Sequence, residues 1–374
     1  MSLALDTVAT PAALVDLPRL KRNTERMSDR AQRLGVQLRP HVKTHKCVEA
    51  AKYQVDGHFG GITVSTLAEA ATFGSAGFED VTYAVPLSPG RAARAQELSE
   101  TLAHLHLLVD HMDAVEALGA RALARGHTQS VLIKVDCGYG RAGVTPEDPQ
   151  LLALARKISD HPFLRFQGIL THGGHSYDCR GVEEILAVAR QERAAILESA
   201  QRLAEASLAV HTISVGSTPT MAVVDHLDGV TEMRPGNYAL FDRVQAMIGS
   251  CTMDDVALAV LTEVIGVYPE RNTMLIDAGA LALSKDAGAQ HVSKGTSFGA
   301  VCDLDRKRIP DLEVVGLSQE HGKIHGTSLE RFSIGDRFLI LPNHSCLVTA
   351  LYERLHVWDG RKIIDSWRPA RGWA

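Results

Sequence analysis

The chain has 374 residues, of which 45% are hydrophobic and 22% charged, and its formal net charge is −5. This composition is typical of a folded globular protein and excludes collagen-like, coiled-coil and disordered chains. No long run of like charges and no stretch of about 20 apolar residues occurs, so we expect a cytoplasmic protein with no nucleic-acid or membrane partner. The six cysteines contain no CxxC pair, and we expect no disulfide framework.

Short β-branched runs alternate with Ala-rich helical segments over the first two thirds of the chain. The runs lie at 35–44, 60–66, 81–86, 104–110, 130–136, 166–172, 211–217 and 229–236. Strands separated by helical crossovers pair in parallel, and eight such units favour a (β/α)8 barrel of the TIM type, although a doubly wound open sheet gives a similar pattern. We predict that this barrel spans residues 10–245.

After residue 245, strand-like runs follow one another with short turns and little helix. They lie at 256–269, 273–283, 311–322, 336–343 and 355–367, and Asp359-Gly360 is typical of a hairpin turn in the last of them. This pattern predicts a mainly-β domain over residues 246–374. The apolar run within residues 1–20 is a candidate to pair with this domain rather than with the barrel.

The first predicted strand ends in a basic cluster, RPHVKTHK. In a parallel barrel the functional residues lie at the carboxyl ends of the strands, which places Lys43 at the mouth beside His41, His45 and Lys46. Neighbouring cations lower the pKa of a lysine, as formation of an imine requires, although a solvated basic loop would show the same residues.

The fifth and sixth strands also end in polar loops. The fifth runs into DCGYGRAGV, where glycines allow a tight turn and Arg141 can hold an anionic oxygen. The sixth runs into THGGHSY, which places His172, His175 and Tyr177 in one short loop. Each loop, taken alone, is equally consistent with ordinary surface polarity.

The last two strands end in loops that favour a bound phosphate. The seventh runs into a Gly-Ser-Thr turn at 216–218 that precedes a helix, and the eighth runs into MRPGNYALFD. Many barrels bind phosphate after their seventh and eighth strands, where backbone N–H groups are free. A lysine that can form an imine, facing a phosphate site, suggests pyridoxal 5'-phosphate.

These motifs together resemble the fold-type III pyridoxal-phosphate enzymes, the alanine racemase-like class. Within that class they are most similar to the branch that contains D-serine dehydratase, D-threo-3-hydroxyaspartate dehydratase and D-threonine aldolase. The resemblance extends from TPAALVDL through RPHVKTHK, VDCGYGRAGV, THGGHSY, SVGSTPT and RPGNYALFD to LPNHSC. It implies a barrel followed by a β domain, active sites at the junction of the two, and a homodimer.

The resemblance also implies a role for individual residues. Lys43 would be the Schiff-base lysine, and Arg141 would contact the phenolic oxygen of the cofactor. The pyridine nitrogen would face either Arg234 or Tyr177. The remaining cofactor-binding candidates are His172, Ser217, Thr218, Gly236 and Asn237.

The motif LPNHSC places His344 two residues before Cys346. If this run is extended, both side chains point to one face and can share a divalent metal; sulfur favours Zn2+, with Mn2+ and Mg2+ as alternatives. Two such residues are a weak signal by themselves, because a buried cysteine beside a turn histidine is common. Within the family the dehydratases resemble this sequence in carrying His-x-Cys, whereas D-threonine aldolases carry His-x-Asp.

Cys346 therefore favours a pyridoxal-phosphate- and metal-dependent dehydratase of D-β-hydroxy-amino acids that converts D-serine to pyruvate and ammonia. Lys43 would remove the α proton, and the metal would assist the departure of the hydroxyl group. The alternatives are a D-threo-3-hydroxyaspartate dehydratase and a D-threonine aldolase-type enzyme that yields glycine and an aldehyde. A racemase would need a second base, and a non-catalytic cofactor carrier would lack the β domain.

The residues that contact the substrate side chain are harder to predict, because they lie on loops of unknown path. The candidates are His175, Tyr177, Arg243 and Gln245. Glu320 and His321 are candidates for orienting the metal ligands, although they would equally suit a structural turn.

Overall fold

The structure is a computed structural model that describes residues 3–293, 295 and 297–373. In chain order its strands are β1 Leu3–Ala4, β2 Ala12–Asp16, β3 Gln37–Leu38, β4 Ile62–Val64, β5 Asp80–Pro86, β6 His104–Val109, β7 Gln129–Lys134, β8 Leu164–Leu170, β9 Thr212–Val215, β10 Glu232–Met233, β11 Leu258–Tyr268, β12 Thr273–Ile276, β13 Gly299–Cys302, β14 Arg308–Leu317, β15 Gly322–Gly326, β16 Arg337–Pro342, β17 Leu355–Trp358 and β18 Lys362–Trp367. Its α-helices are α1 Leu17–Arg33, α2 Val48–Val55, α3 Leu67–Ser75, α4 Ala92–Ser99, α5 Met112–Arg125, α6 Pro149–Ser159, α7 Val182–Glu205, α8 Thr218–Val223, α9 Arg243–Met247, α10 Ala280–Leu283 and α11 Ser345–Leu351.

Strands β3 to β10 form one parallel barrel. Their order in the sheet is β3-β10-β9-β8-β7-β6-β5-β4. The last strand, β10, pairs in parallel with both β9 and β3, and an isolated parallel bridge between His41 and Thr63 joins the two ends of this order. The prediction of a (β/α)8 barrel is therefore confirmed, and the open-sheet alternative is wrong.

Several helices of the barrel begin at a capping side chain, whereas α2, α4, α5 and α7 have no side-chain cap. Asp16 accepts a hydrogen bond from the backbone N–H of Arg19 at the start of α1, and Thr66 does the same at the start of α3. Ser217 and Thr220 form a reciprocal capping box at α8. Such caps satisfy N–H groups that have no partner within the helix, and they fix where each strand-to-helix loop ends.

The remaining strands form a second, mainly antiparallel sheet. Strands β11, β12, β15, β14, β13 and β16 pair in that order, and β16 pairs again with β11, so these six close on themselves. The predicted mainly-β fold is thus confirmed. Strand β2 lies between β11 and β17, and β1 pairs with β18. The domain boundary at residue 245 stays a prediction.

One predicted strand of this second sheet is wrong in part, and the condition stated for the His344 motif, an extended run, is not met. The run 273–283 is a strand only to Ile276, after which α10 begins at Ala280. The run that contains His344 is extended only to that residue, and Ser345 begins α11. Strands β13 and β15 had no clear sequence signal.

None of the helices in the described ranges is long and apolar enough to cross a membrane.

Candidate active site

A cavity of about 260 Å3 lies at the carboxyl ends of the barrel strands, where α11 of the second sheet covers them. Most of the sequence-predicted site residues lie around it. Its lining consists of His41, Lys43, Thr44, Ala84, Lys134, Tyr139, Arg141, Leu170, His172, Gly174, Tyr177, Asp178, Ser217, Thr218, Arg234, Gly236, Asn237, His344 and Cys346.

Lys43 lies in a 3-10 turn, Val42–Thr44, that follows β3. Burial lowers the pKa of the Lys43 amine, and the positive charges of Arg141 and Arg234 lower it further, against the opposing effect of Cys346. The expected neutral amine is therefore favoured by the site.

Of the three basic neighbours named from the sequence, His45 and Lys46 do not line the cavity. His41 does line it, but burial and the charge of Lys43 hold the pKa of His41 well below its usual value. His45 is buried away from the cavity and hydrogen-bonds to the Gln54 side chain at 2.7 Å. Lys46 forms an ion pair with buried Glu69. The charged groups that act on Lys43 lie on other elements of the fold, namely the loops that carry Arg141 and Arg234 and the helices that carry Glu69 and Cys346, and the chain order does not reveal this arrangement.

Two arginines present guanidinium groups to the cavity. Arg234 is 5% exposed; its Nε donates to Ser214 Oγ at 2.6 Å and its Nη2 to the carbonyl oxygens of Thr171 and Ser214. Arg141 lies over the ring of Tyr139, with 5.1 Å between the guanidinium carbon and the ring centre. Both are placed to meet an anionic or acceptor group of a ligand.

The loops after β9 and β10 form the candidate phosphate cradle. Ser217, Thr218, Gly236 and Asn237 all line the cavity. A Cβ atom at Gly236 would lie 2.5 Å from the carbonyl oxygen of His41, so this close approach requires glycine. The Thr218 amide opens α8 and has no acceptor within the helix.

One part of the predicted phosphate turn is wrong. The backbone N–H of Gly216 donates to Glu192 Oε1 at 3.0 Å and is not available to a ligand. Glu192 is fully buried, and it also accepts from the Gly173 N–H at 2.6 Å and from Thr220 Oγ1 at 3.1 Å. This carboxylate of α7 thus joins the loops after β8 and β9.

The loop after β8 contributes two of its predicted residues. His172 lines the cavity, and its Nδ1 lies 2.6 Å from the carbonyl oxygen of Gly216, so that nitrogen carries the hydrogen. Burial holds the pKa of His172 well below its usual value, and Lys43 adds to this effect. Tyr177 also lines the cavity, so the choice between it and Arg234 for the pyridine nitrogen stays a prediction.

The other candidates for substrate and metal contacts do not line the cavity. His175 stacks on Tyr139 with ring centres 5.9 Å apart, and Arg243 donates to the Asn343 side chain at 3.2 Å. Gln245 is fully buried. Glu320 and His321 are exposed and lie between β14 and β15, which makes them turn residues rather than orienting groups.

His344 and Cys346 meet at the edge of the cavity, although not on an extended strand. His344 precedes α11, and Cys346 lies in the first turn of that helix. Burial raises the pKa of the Cys346 thiol, but the hydrogen bond and charge of His344 outweigh it and lower the pKa overall. A cysteine with a lowered pKa supplies the thiolate that binds Zn2+.

The contacts of these two residues connect the second sheet to the barrel. Cys346 Sγ lies 3.3 Å from Thr44 Oγ1, beside Lys43. His344 Nδ1 lies 3.0 Å from Asp286 Oδ2, which leaves Nε2 as the nitrogen that can bind a ligand. Within the described ranges no group of three or more His, Cys, Asp or Glu residues is arranged to hold a metal. A metal here would therefore have two protein ligands and open positions for water and substrate.

Several residues of this site were missed from the sequence, and three of them, Lys134, Glu192 and Asp286, matter most for its geometry and electrostatics. Lys134 ends β7 and is 5% exposed inside the cavity, where burial and the nearby Arg234 lower its pKa to about 7. Its position within the apolar run SVLIKVD was the available signal. Glu192 and Asp286 lie on α7 and on a loop after α10, and no local pattern sets them apart.

The residues present fit pyridoxal phosphate. The cavity offers a lysine with a lowered pKa, a glycine where a Cβ would be too close to backbone, and cations that match a phosphate and a phenolic oxygen. The Oδ1 atom of Asn237 is buried and has no hydrogen-bond partner among the described residues, so it is available to a donor from a ligand.

Comparison with known proteins gives matches over nearly the whole chain. The alanine racemase N-terminal domain family matches residues 15–243, and the putative serine dehydratase domain family matches residues 257–358. A D-threo-3-hydroxyaspartate dehydratase of Delftia sp. strain HT23 is 40% identical over 100% of both chains. A D-serine dehydratase of Dictyostelium discoideum is 34% identical over 99% of this chain and 98% of its own.

A solved structure agrees with these matches. The metal-free form of a cysteine-to-alanine mutant of D-threo-3-hydroxyaspartate dehydratase superposes with a TM-score of 0.94 at 39% identity, over 99% of this chain and 100% of its own.

Proposed function

The chain belongs to the alanine racemase-like family of D-serine and D-threo-3-hydroxyaspartate dehydratases and is a pyridoxal-phosphate-dependent lyase, and from that premise we propose that it eliminates water from a D-configured β-hydroxy-amino acid. D-Serine, giving pyruvate and ammonia, is the simplest such substrate, and D-threo-3-hydroxyaspartate is the substrate named for the Delftia relative. The observation that carries the proposal is that Lys43, His344 and Cys346 line one cavity.

The residues that would hold the cofactor surround this cavity. Lys43 would form its covalent link, and Arg141 would hold the phenolic oxygen. Ser217, Thr218, Gly236 and the backbone of Asn237 would receive the phosphate. Arg234 or Tyr177 would face the pyridine nitrogen, with His172 beside the ring.

The metal would be held by His344 Nε2 and Cys346 Sγ. We propose Zn2+, since a thiolate with an imidazole suits this ion better than it suits Mn2+ or Mg2+. Support for a metal comes from the relative whose cysteine mutant was solved in a metal-free form. Pyridoxal phosphate supplies an electron sink for the carbanion at Cα, and the metal supplies Lewis acidity for the departing hydroxyl group.

Side chains of the protein would carry out the remaining parts of the reaction. The neutral Nζ of Lys43 accepts the proton from Cα on the face that it covers, and this placement selects the D configuration. Asp286 holds the ring of His344 so that Nε2 faces the cavity. The guanidinium cations of Arg141 and Arg234 attract the carboxylate of the substrate to the site.

The metal role is tested by comparing Cys346→Ala with Cys251→Ala, another half-buried cysteine that does not line the cavity. Cys346→Ala should lose bound metal and about 100-fold or more in keto-acid formation, because Lewis-acid assistance contributes several kcal/mol. It should keep the visible absorbance of the lysine-linked cofactor, which Lys43→Ala should abolish. Full turnover of Cys346→Ala after chelation would contradict the proposal.

We also propose a homodimer, as the resemblance to the family implies. Sedimentation equilibrium of the purified protein should give twice the 40.4 kDa mass of the chain. A mass of one chain at micromolar concentration would contradict the proposal.

A further inference from the structure

A chain of buried polar side chains runs through the barrel interior beneath the active-site cavity. Barrel interiors are usually filled by layers of branched apolar residues. Here Arg39, Ser214, Glu232 and Arg234 are all buried, at 6%, 0%, 2% and 5% exposure. Burying charged groups is unfavourable unless they are paired and hydrogen-bonded, so the pairing of these side chains is informative.

Arg234 is linked to Glu232 through a single hydroxyl group. Arg234 Nε donates to Ser214 Oγ at 2.6 Å, and Ser214 Oγ donates to Glu232 Oε1 at 2.6 Å. The direction of both bonds is fixed, because a guanidinium can only donate and a carboxylate can only accept. Ser214 therefore has one orientation that satisfies both partners.

The other oxygen of Glu232 is occupied as well. Arg39 Nε donates to Glu232 Oε2 at 2.8 Å, and Arg39 Nη1 donates to Asp80 Oδ1 at 2.5 Å. Arg39, Asp80 and Glu232 also line a second cavity of about 570 Å3 at the opposite mouth of the barrel. Glu232 thus lies between two guanidinium groups and is held from both sides.

The strand register produces this arrangement. Glu232 of β10 pairs with Ser214 of β9 and with Gln37 of β3. Residues two apart on a strand point to the same side, so Glu232 and Arg234 both face the barrel interior. Arg39 follows β3, and its N–H donates to the Met233 carbonyl oxygen.

The contacts of Arg234 fix the plane of its guanidinium. Nε is held by Ser214 and Nη2 by the Thr171 carbonyl oxygen, whereas Nη1 has no hydrogen-bond partner among the described residues. Because Arg234 lines the cavity, Nη1 is the donor that remains for a ligand.

We infer that Ser214 and Glu232 are positioning residues, which hold the Arg234 guanidinium at the cavity floor so that Nη1 faces the cofactor. Arg39 supports this arrangement, because its positive charge neutralises the Glu232 carboxylate from the opposite side. The inference rests on the proposed function in one respect, since it takes the cavity to hold pyridoxal phosphate. It names residues that make no contact with the cofactor themselves.

The test compares Ser214→Ala and Glu232→Gln with Ser130→Ala in the cofactor-loaded enzyme. Ser130 is a matched control, because it lies on barrel strand β7 and its hydroxyl bonds to the His106 ring at 2.7 Å. It meets the polar network only at the far end from Arg234, where His106 Nε2 lies 3.2 Å from Asp80 Oδ1. We expect Ser214→Ala and Glu232→Gln to shift the visible absorbance maximum of the bound cofactor and to weaken pyridoxal-phosphate binding about tenfold. Ser130→Ala should do neither at a similar melting temperature.

The outcomes separate this inference from the proposed reaction. If the wild type releases keto acid and Ser214→Ala matches Ser130→Ala in absorbance maximum and cofactor affinity, the inference alone is overturned. If the wild type releases no keto acid but Ser214→Ala still shifts the maximum, the positioning role is supported and the reaction is wrong. Should Glu232→Gln fail to fold, the comparison of the two serine variants decides the matter.

Discussion

Asp286 determines which nitrogen of His344 is left for a metal. Its carboxylate lies 3.0 Å from His344 Nδ1, and this bond raises the pKa of His344 against the opposing effect of burial. Carboxylate partners of this kind fix the orientation of a metal-binding histidine, and their loss usually weakens metal affinity about 10–100-fold. A residue that never contacts the substrate can therefore control the site.

We predict that Asp286→Asn weakens binding of Zn2+ by about 10–100-fold without changing the cofactor absorbance. Competition with a chromophoric chelator gives the dissociation constant. Asp303→Asn is a suitable control, because among the described residues Asp303 accepts hydrogen bonds from the N–H groups of Arg306 and Lys307 within one turn. Equal affinities in the two variants would show that His344 needs no such support.

The buried position of Lys134 leads to a second prediction. It concerns how the stability of the cofactor-free protein depends on pH. Burial and the nearby Arg234 lower its pKa in the fold to about 7, whereas an unfolded lysine has a pKa of about 10.5. Between these values the unfolded chain binds one more proton than the fold, so the free energy of unfolding should rise with pH by up to about 1.4 kcal/mol per unit.

Lys134→Met should remove this contribution. The variant should gain most over the wild type below pH 7, where folding has to bury the charged lysine, and the gain should shrink as the pH rises from 7 toward 10. Urea unfolding at several pH values measures it, with exposed Lys52→Met as the control. If wild type and Lys134→Met respond to pH in the same way, Lys134 keeps its proton in the fold.

At the scale of elements, helix α7 holds two active-site loops through Glu192. The carboxylate accepts from the backbone N–H groups of Gly173 and Gly216, which belong to the loops after β8 and β9. Without it, both N–H groups would be buried without a partner, at about 1–3 kcal/mol each. The loop that carries Ser217 and Thr218 would then lose its fixed position.

Glu192→Ala is therefore expected to lower the free energy of unfolding by about 2–5 kcal/mol and to weaken pyridoxal-phosphate binding. Urea unfolding and fluorescence titration with the cofactor provide the two readouts. Glu198→Ala, on an exposed position of the same helix, controls for the change in helix propensity. Unchanged cofactor affinity in Glu192→Ala would mean that the loops hold their shape without it.

Whether a segment forms a strand or a helix could be predicted where the local sequence pattern decides it. The eight barrel strands follow from short β-branched runs between helical segments, and their order follows from parallel pairing. Helix α11 did not follow, because its start depends on a distant residue: the Ser345 N–H donates to Asp242 Oδ2 at 3.1 Å. Asp242 lies on the barrel side of the junction, 103 residues earlier in the chain.

The same reasoning separates the predictable site residues from the others. Lys43, Arg141 and Arg234 follow strands and stand in motifs, so they could be named from the sequence. Lys134 is hidden in an apolar run, and Glu192 acts from the middle of a helix. Their importance comes from contacts between elements, which a single sequence does not show.

At the scale of the whole molecule, the site exists only where the two sheets meet. The barrel supplies Lys43, and the second sheet supplies His344 and Cys346 through α11. Thr349 Oγ1 of α11 donates to the Thr44 carbonyl oxygen at 2.5 Å, which fixes this helix against the lysine turn. The combination of a lysine-linked cofactor and a metal therefore depends on the relative position of the two sheets.

The most direct test of the account is product analysis with purified, zinc-loaded and pyridoxal-phosphate-saturated protein. D-Serine, D-threo-3-hydroxyaspartate and D-threonine are supplied in turn, keto acid and glycine are assayed separately, and each assay is repeated after treatment with EDTA. We predict keto acid without glycine, lost on chelation and restored by Zn2+. Glycine with an aldehyde, or keto-acid formation that is insensitive to chelation, would contradict the account.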